Sequence, residues 1–282
     1  MRPSPWYILR HMKVAVLIPV YNEAQTLREL IARFDATPPP VHPTSGQPLV
    51  RRLVLVDDGS TDGSWTILQS LKDRGDTIVE RHDHNRGKGA ALRTALKAAL
   101  AEGADALIIH DADLEYDPRD HDAVLDPILT GRADAVIGTR FRGRAHRVLY
   151  FWHYVANRLI TLLSNMLTNL NLSDIECCTK AFTRRVAQQL TITERRFGVE
   201  PEIVARLARM RLRPPESRAA NPTESPTESP ADHPRTDQPE RALRIFEVSV
   251  SYSGRTYAEG KKITWRDGIS AIRCILVYNL LR

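Results

Sequence analysis

At 282 residues, 42% of them hydrophobic, the chain fits one large α/β domain at least as well as two small ones. Its formal net charge of +6 points to partners rich in phosphate, whether nucleotide, lipid head group or nucleic acid, without choosing among them. Three cysteines, two of them the adjacent Cys177 and Cys178, exclude a paired disulfide framework and a zinc site of two separated pairs, and fit a reducing, cytosolic compartment.

Residues 1–12 read as an N-terminal extension, because Met1 to Arg10 hold too short an apolar run for an export signal. Lys13 to Ile18 is apolar enough for a buried strand, and Asn22 is expected to cap a helix with the stripe Leu27, Leu30, Ile31 and Phe34. After a Pro-rich loop, a second strand, Leu53 to Val56, stops at Asp57-Asp58-Gly59-Ser60-Thr61-Asp62-Gly63 before a helix carrying Trp65, Leu68 and Leu71. A third strand, Thr77 to Val79, precedes His84-Asn85-Arg86-Gly87-Lys88-Gly89 and an Ala-rich helix. A fourth, Ala106 to Ile109, runs into His110-Asp111-Ala112-Asp113. This alternation predicts an α/β fold, a mostly parallel sheet flanked by helices. Such sheets bind ligands outside the carboxyl ends of their strands, where each polar cluster falls.

A further strand, Ala133 to Gly138, ends at Thr139-Arg140. Tyr150 to Leu170 then places Trp152, Tyr154, Leu159, Leu163, Met166 and Leu167 on a helical period, which suits a core helix or one lying in a membrane interface. Arg158, Asn165 and Arg273 break the most apolar segments, so no membrane span is expected. Residues 213–242 contain Pro-Thr-Glu-Ser-Pro-Thr-Glu-Ser-Pro and almost no aliphatic side chains, the composition of a disordered insertion that divides a catalytic domain into 13–212 and 243–282. The second part opens with a strand, Leu243 to Ser251, passes a basic stretch, and closes with an amphipathic helix, Trp265 to Arg282, carrying Ile269, Ile272, Ile275, Leu276 and Leu280 beside Arg266 and Arg273.

Asp111 and Asp113 lie two apart after an apolar strand, so in an extended chain both carboxylates point one way and can share a hard divalent cation with phosphate oxygens. Asp-x-Asp pairs are common in loops, and position at a strand end is what raises this one above a solvated turn. Asp57-Asp58-Gly59-Ser60 reads as a turn or as a carboxylate that accepts hydrogen bonds from a base or ribose. Asn85-Arg86-Gly87-Lys88-Gly89 has glycines that allow a backbone to approach a phosphate and cations to neutralise it. It lacks Walker spacing, and no Gly-x-Gly-x-x-Gly follows the first strand, so an ATPase and a nicotinamide dehydrogenase are both poor fits.

Together, Pro19-Val20-Tyr21-Asn22-Glu23, Asp57 to Asp62, Asn85 to Gly89 and Asp111-Ala112-Asp113 resemble inverting glycosyltransferases of family 2, which have the GT-A fold. Gly138-Thr139-Arg140, Ser173-Asp174, Arg196-Phe197-Gly198 and Arg255 to Lys261 resemble more narrowly the dolichol-phosphate mannosyltransferase and polyprenyl-phosphate glycosyltransferase branch. The resemblance implies that Pro19, Tyr21, Glu23 and Asp58 hold the nucleoside, with Val56 and Lys88 also on the substrate. It implies that Asp111, Ala112, Asp113 and Glu115 surround Mg²⁺ or Mn²⁺ and the diphosphate, and that Arg140, Arg255 and Lys261 contact donor diphosphate or acceptor phosphate. Glu115 departs from the glutamine common in the mannosyltransferases, and Tyr257-Ala258-Glu259-Gly260-Lys261 from their Tyr-Gly-Glu-Ser-Lys.

The expected reaction is transfer of a hexose from a UDP- or GDP-linked donor to a polyprenyl phosphate, with Asp111 and Asp113 holding the metal as Lewis acid. An ionised lipid phosphate needs little help from a base. For an alcohol acceptor, Asp174 is the first candidate to take the proton and Glu176 the second, against the competing reading that Asp174 is a structural ion pair. A cytoplasmic enzyme peripheral on the inner face of the cell membrane follows. The alternatives are a soluble transferase of the same fold with a non-lipid acceptor and an inactive nucleotide-binding scaffold. Nucleic acid is not an expected partner, since no segment interleaves its basic residues with aromatics on one face.

Overall fold

The computed structural model describes residues 12–143, 147, 150–196, 198–213, 239–256, 259 and 265–281. Lys261, most of the Pro-rich insertion and the expected N-terminal extension apart from Met12 lie outside these residues.

Strand β1 (Lys13–Val20) is apolar because both its faces are covered, as a parallel strand requires. It pairs in parallel with β2 (Val50–Asp57) on one side and β4 (Ala106–Ile109) on the other, with Val16 opposite Leu53 and Ile108. Strand β3 (Thr77–Arg81) extends the sheet beyond β2, and the full order is β3-β2-β1-β4-β6-β5-β9. Strands β5 (Ala135–Thr139) and β9 (Ile245–Ser249) pair in parallel with each other. Between β4 and β5 runs β6 (Lys180–Thr183), antiparallel to both, which makes the sheet mostly and not wholly parallel.

Helix α1 (Leu27–Ala36) buries the expected stripe of Leu27, Leu30, Ile31 and Phe34. Asn22 does not cap it. The helix starts four residues later than that reading requires, Thr26 holds the N-cap position, and Asn22 adopts a left-handed φ of 52°. Its Oδ1 instead accepts from the Thr61 backbone N–H at 2.8 Å, tying the loop after β1 to the loop after β2. Asparagine tolerates that backbone conformation better than most residues, which reconciles the polar signal with a turn.

Helices α2 (Ser64–Gln69), α3 (Lys88–Ala101) and α4 (His121–Leu129) follow β2, β3 and β4, so the strand-helix alternation is present as read. Helix α5 (Phe151–Thr168) turns both polar and apolar residues toward the protein and leaves other large apolar residues open. Its buried positions are Thr161 and Ser164, whereas Phe151, Trp152 and Met166 are 65%, 75% and 73% exposed. The polar residues that interrupt its apolar period face the protein: Asn157 donates to Asp174, and Asn165 donates to the Leu172 carbonyl at 2.7 Å. Ile160, Leu163 and Leu167 still pack against the core, so the helix is seated by one face and open on the other. Helix α6 (Arg184–Gln189) is short, α7 (Val199–Arg209) packs beside α5, and α8 (Trp265–Leu276) packs against both, continuing into a π turn at Val277–Leu281. Two-residue strands β7 (Arg211–Leu212) and β8 (Arg241–Ala242) pair antiparallel, so the two sides of the Pro-rich segment leave the domain together.

Candidate active site

The carboxyl ends of β1, β2, β4 and β5 open onto one pocket, whose lining includes Pro19, Tyr21, Glu23, Asp58, Lys88, Asp111, Asp113, Glu115, Arg140 and Arg255. Strand register brings them together: Val20 stands opposite Asp57, and His110 continues β4 by donating to the Leu17 carbonyl of β1, so these chains leave the sheet at one level. Val56, Ala112 and Asp174 do not line it. Val56 is fully buried in the sheet, Ala112 is buried with its carbonyl accepting from Thr26 Oγ1 at 2.9 Å, and Asp174 lies behind Arg140.

Asp58 is buried, and both its oxygens are engaged by the protein. The backbone N–H groups of Arg86 and Gly87 donate to it at 2.9 and 2.7 Å, and His82 Nδ1 lies 2.7 Å from Oδ1. This carboxylate fastens the Asn85 to Gly89 loop to the end of β2. The glycines of that loop serve packing. A Cβ on Gly87 would lie 2.0 Å from the Arg195 carbonyl oxygen, and one on Gly89 would lie 2.1 Å from that of Glu194. The backbone that approaches these glycines is the protein's own segment before α7.

Lys88, freed to point into the pocket by this turn, sits 2.8 Å from Asp111 and 2.8 Å from Glu200 of α7. Burial works against its charge, but Asp111 and Glu200 outweigh burial and hold the ammonium well above its ordinary pKa. The same pairing holds Asp111 ionised below the usual carboxylate range despite burial. Asp113 is in the opposite state. Burial, then the charges of Asp111 and Glu115, push it up to about 7, although Arg255 donates to it at 3.1 Å.

Arg255 crosses the pocket mouth. Its guanidinium lies 3.4 Å from Glu23 and 3.1 Å from Asp113, and its backbone N–H donates to Glu115 at 2.8 Å. Tyr252 Oη donates to the other Glu115 oxygen at 3.1 Å. Arg140 forms a bidentate pair with Asp174, at 2.7 and 2.8 Å, beneath which Asn157 Nδ2 and the Glu176 N–H also donate to Asp174 at 3.2 Å. Arg140 outweighs burial and holds Asp174 below the carboxylate range.

Sequence reading missed Glu200, Tyr116 and Tyr252 as pocket residues. Glu200 directly follows Gly198-Val199 in the α7 N-terminal turn, and nothing in its spacing signals that α7 returns to Lys88. Tyr252 is three residues before the basic stretch and could have been included with it.

A model of the family described as glycosyl transferase family 2 matches residues 15–191. The chain belongs to that family. Relatives include the dolichol-phosphate mannosyltransferase of Pyrococcus furiosus, 33% identical over 130 residues that cover 46% of this chain and 34% of the relative. The undecaprenyl-phosphate 4-deoxy-4-formamido-L-arabinose transferase of Pseudomonas syringae pv. syringae is 30% identical over 200 residues, covering 70% of this chain and 55% of the relative. The chain thus spans about half or less of the length of these curated relatives. Among solved structures, glucosyl-3-phosphoglycerate synthase from Mycobacterium tuberculosis, crystallised with Mn²⁺, UDP and glucosyl-3-phosphoglycerate, superposes with a TM-score of 0.60 at 17% identity, over 99% of this chain and 86% of that one. The fold is GT-A, as the sequence resemblance implied.

Proposed function

We propose that this family 2 chain is an inverting hexosyltransferase that moves a sugar from a UDP- or GDP-linked donor to a polyprenyl phosphate at a membrane surface. The observation that carries the reading is one pocket in which Lys88, Arg140 and Arg255 stand among Asp111, Asp113 and Glu115 at the strand ends. Both curated relatives named above are transferases whose printed names specify a polyprenyl or dolichyl phosphate.

The donor set fits a divalent cation. Asp111 and Asp113 offer hard oxygen ligands, and the repulsion that raises Asp113 is what a cation beside it would relieve. Among the described residues no three His, Cys, Asp or Glu side chains converge as a ready-made cage. One or two carboxylates completed by donor phosphates is the arrangement Mg²⁺ favours. Bound there, Mg²⁺ or Mn²⁺ would neutralise charge on the departing diphosphate.

The protein's own groups divide the remaining work. Pro19, Tyr21, Glu23 and Asp58 border the nucleoside end, Asp58 by holding the loop that forms its wall. Arg255 can exchange its contacts with Glu23 and Asp113 for phosphate oxygens, because a guanidinium pairs with either in the same planar fork. Arg140 is presented to the pocket by Asp174 and Asn157, aimed at the acceptor or donor phosphate. An ionised phosphate oxygen attacks the anomeric carbon from the face opposite the leaving diphosphate, so no proton need be removed. Asp174 therefore positions Arg140 and does not act as a base.

Helices α5 and α8 supply a surface for a lipid acceptor. They pack together and expose Phe151, Trp152, Leu159, Leu162 and Met166 on one helix and Ile269, Ile272 and Leu276 on the other. No helix among the described residues is long and apolar enough to cross a membrane. Lying on the cytoplasmic face by these two helices is the reading that accounts for them, and the three buried free cysteines suit that compartment.

The test is transfer of radiolabel from UDP-glucose and GDP-mannose, with Mg²⁺ or Mn²⁺, to a short-chain polyprenyl phosphate. Label in the lipid from one donor, with inverted anomeric configuration, supports the reading. Metal-dependent donor hydrolysis without lipid product replaces the lipid by another acceptor, and retention of configuration overturns the single displacement.

A further inference from the structure

We infer that Glu176 is the specificity-determining residue for the transferred sugar, hydrogen-bonding one of its hydroxyls through a buried carboxyl oxygen that has no partner among the described residues. The inference rests on the transferase reading and goes beyond it in naming the residue that reads the hexose.

Glu176 lies in the segment between α5 and β6, and that segment is held from several sides. Ser173 donates to Glu247 through its backbone N–H at 2.6 Å and its hydroxyl at 2.9 Å. Asp174 is locked by Arg140. Lys180, fully buried, donates its ammonium to the Ile175 carbonyl at 3.2 Å and to the Cys177 carbonyl, and the Cys178 N–H donates to Tyr116 Oη at 3.2 Å. The Glu176 backbone N–H is itself spent on Asp174. Its side chain is thus delivered to the pocket from a rigid support, as a recognition group requires.

One oxygen of the side chain, the buried Oε1, has no hydrogen-bond partner among the described residues. Each neighbouring cation is committed elsewhere: Arg140 to Asp174, Lys180 to two carbonyls, Lys88 to Asp111 and Glu200. A buried polar atom without a partner is costly and is kept where a ligand supplies the partner. Burial and then the Glu200 carboxylate push the Glu176 pKa up to about 8, so at neutral pH the group is mostly the neutral acid. A carboxylic acid both donates and accepts, which matches a sugar hydroxyl.

The position agrees with that partner. Glu176 lines the same pocket as Tyr21, Asp58, Asp111 and Asp113, close enough to Glu200 and Arg140 to feel their charges. A donor with its nucleoside near Tyr21 and its diphosphate near Asp111 and Asp113 would bring its hexose within the pocket that Glu176 lines.

The experiment compares the wild-type chain with Glu176→Ala and Glu176→Gln. Calorimetry in Mg²⁺ would give the affinities for UDP, GDP, UDP-glucose, UDP-galactose, GDP-mannose and GDP-glucose, and transfer assays would give KM and kcat for the donors used. In Glu176→Ala, the nucleotide sugar is expected to bind about tenfold more weakly while the free nucleoside diphosphate binds as in wild type, and the preference between epimeric sugars narrows. Glutamine, which still donates and accepts, restores most of the affinity. An alanine variant with unchanged nucleotide-sugar affinity and unchanged epimer preference overturns the inference, as does one that loses nucleoside diphosphate to the same degree, since that marks a purely structural role. A wild-type chain that binds nucleoside diphosphate but gains nothing from the sugar overturns the transferase reading and this one together, and is thereby distinguished from failure of Glu176 alone.

Discussion

The carboxylate of Asp174 holds the guanidinium of Arg140 through two hydrogen bonds of 2.7 and 2.8 Å, with Asp174 fully buried and Arg140 facing the pocket. Removing one partner of such a pair strands the other charge. Asp174→Asn is expected to lower stability by about 3 kcal/mol and to reduce transfer sharply by loosening Arg140. The pH profile separates this from base catalysis. Because Asp174 is already held below the carboxylate range, the residual activity of the variant should keep the wild-type pH dependence between about pH 5 and 8. Loss of an acidic limb in Asp174→Asn would identify Asp174 as a titrating base instead.

Asp113 carries the opposite sign. Its folded pKa of about 7 stands above the ordinary 3.8, so ionising it destabilises the metal-free fold, with the cost growing as pH rises from about 4 and fully present above about 7. Asp113→Asn is therefore expected to raise the melting temperature at pH about 8 by the equivalent of at least 1 kcal/mol, roughly, while abolishing transfer. Adding Mg²⁺ or Mn²⁺ with nucleoside diphosphate should raise the wild-type melting temperature and leave that of the variant nearly still. Equal stabilisation of both proteins would remove Asp113 from the metal site.

His110 and His121 are buried against Phe34, with His121 Nε2 3.1 Å from His110 Nδ1. Burial lowers His110 to about 4 and His121 well below its usual value. A base with a depressed folded pKa gives stability that is present above the unfolded value near 6.5 and is lost as pH falls toward 4. Denaturation midpoints should drop between pH about 6.5 and 4.5, with this pair costing on the order of 2 kcal/mol by pH about 5. His121→Leu should flatten that slope. An unchanged slope would mean that carboxylates elsewhere govern the acid limb.

The exposed row on α5 predicts lipid dependence. Burying a Phe or Trp side chain in the membrane interface contributes about 1.5–3 kcal/mol. Phe151→Ser with Trp152→Ser is accordingly expected to weaken co-sedimentation with anionic phospholipid vesicles by at least about tenfold. Transfer to a detergent-dispersed short-chain acceptor should be largely retained. Vesicle binding that the double substitution leaves intact would assign the row another partner.

Much of the pocket was present in the sequence as short motifs after apolar strands, since a parallel strand buried on both faces must shed its polar residues at the end where its loop begins. Asp58 and Asp111 were placed by that rule, Pro19 and Arg140 by the family resemblance. Four things were not. Strand β6 is four residues long and contains Lys180, whose buried ammonium is satisfied only by carbonyls that folding brings beneath it. Asn22 carried a cap signal that a left-handed turn satisfied equally well. The glycines at Gly87 and Gly89 have the same composition whether phosphate or the chain itself comes close. Helix α5 has an apolar period whichever way it faces.

What the sequence determined by itself, then, was the family, the alternation of strands and helices, and the level at which the polar clusters lie, because these depend on periodicity and on residues near one another in the chain. What only the tertiary structure decided was which charges meet: Lys88 with Glu200, Arg255 with Glu23 and Asp113, Arg140 with Asp174, and Glu176 with no partner among the described residues at its buried oxygen. Those pairings join residues far apart in the chain, and electrostatic interaction at a few ångströms carries no signature in linear spacing.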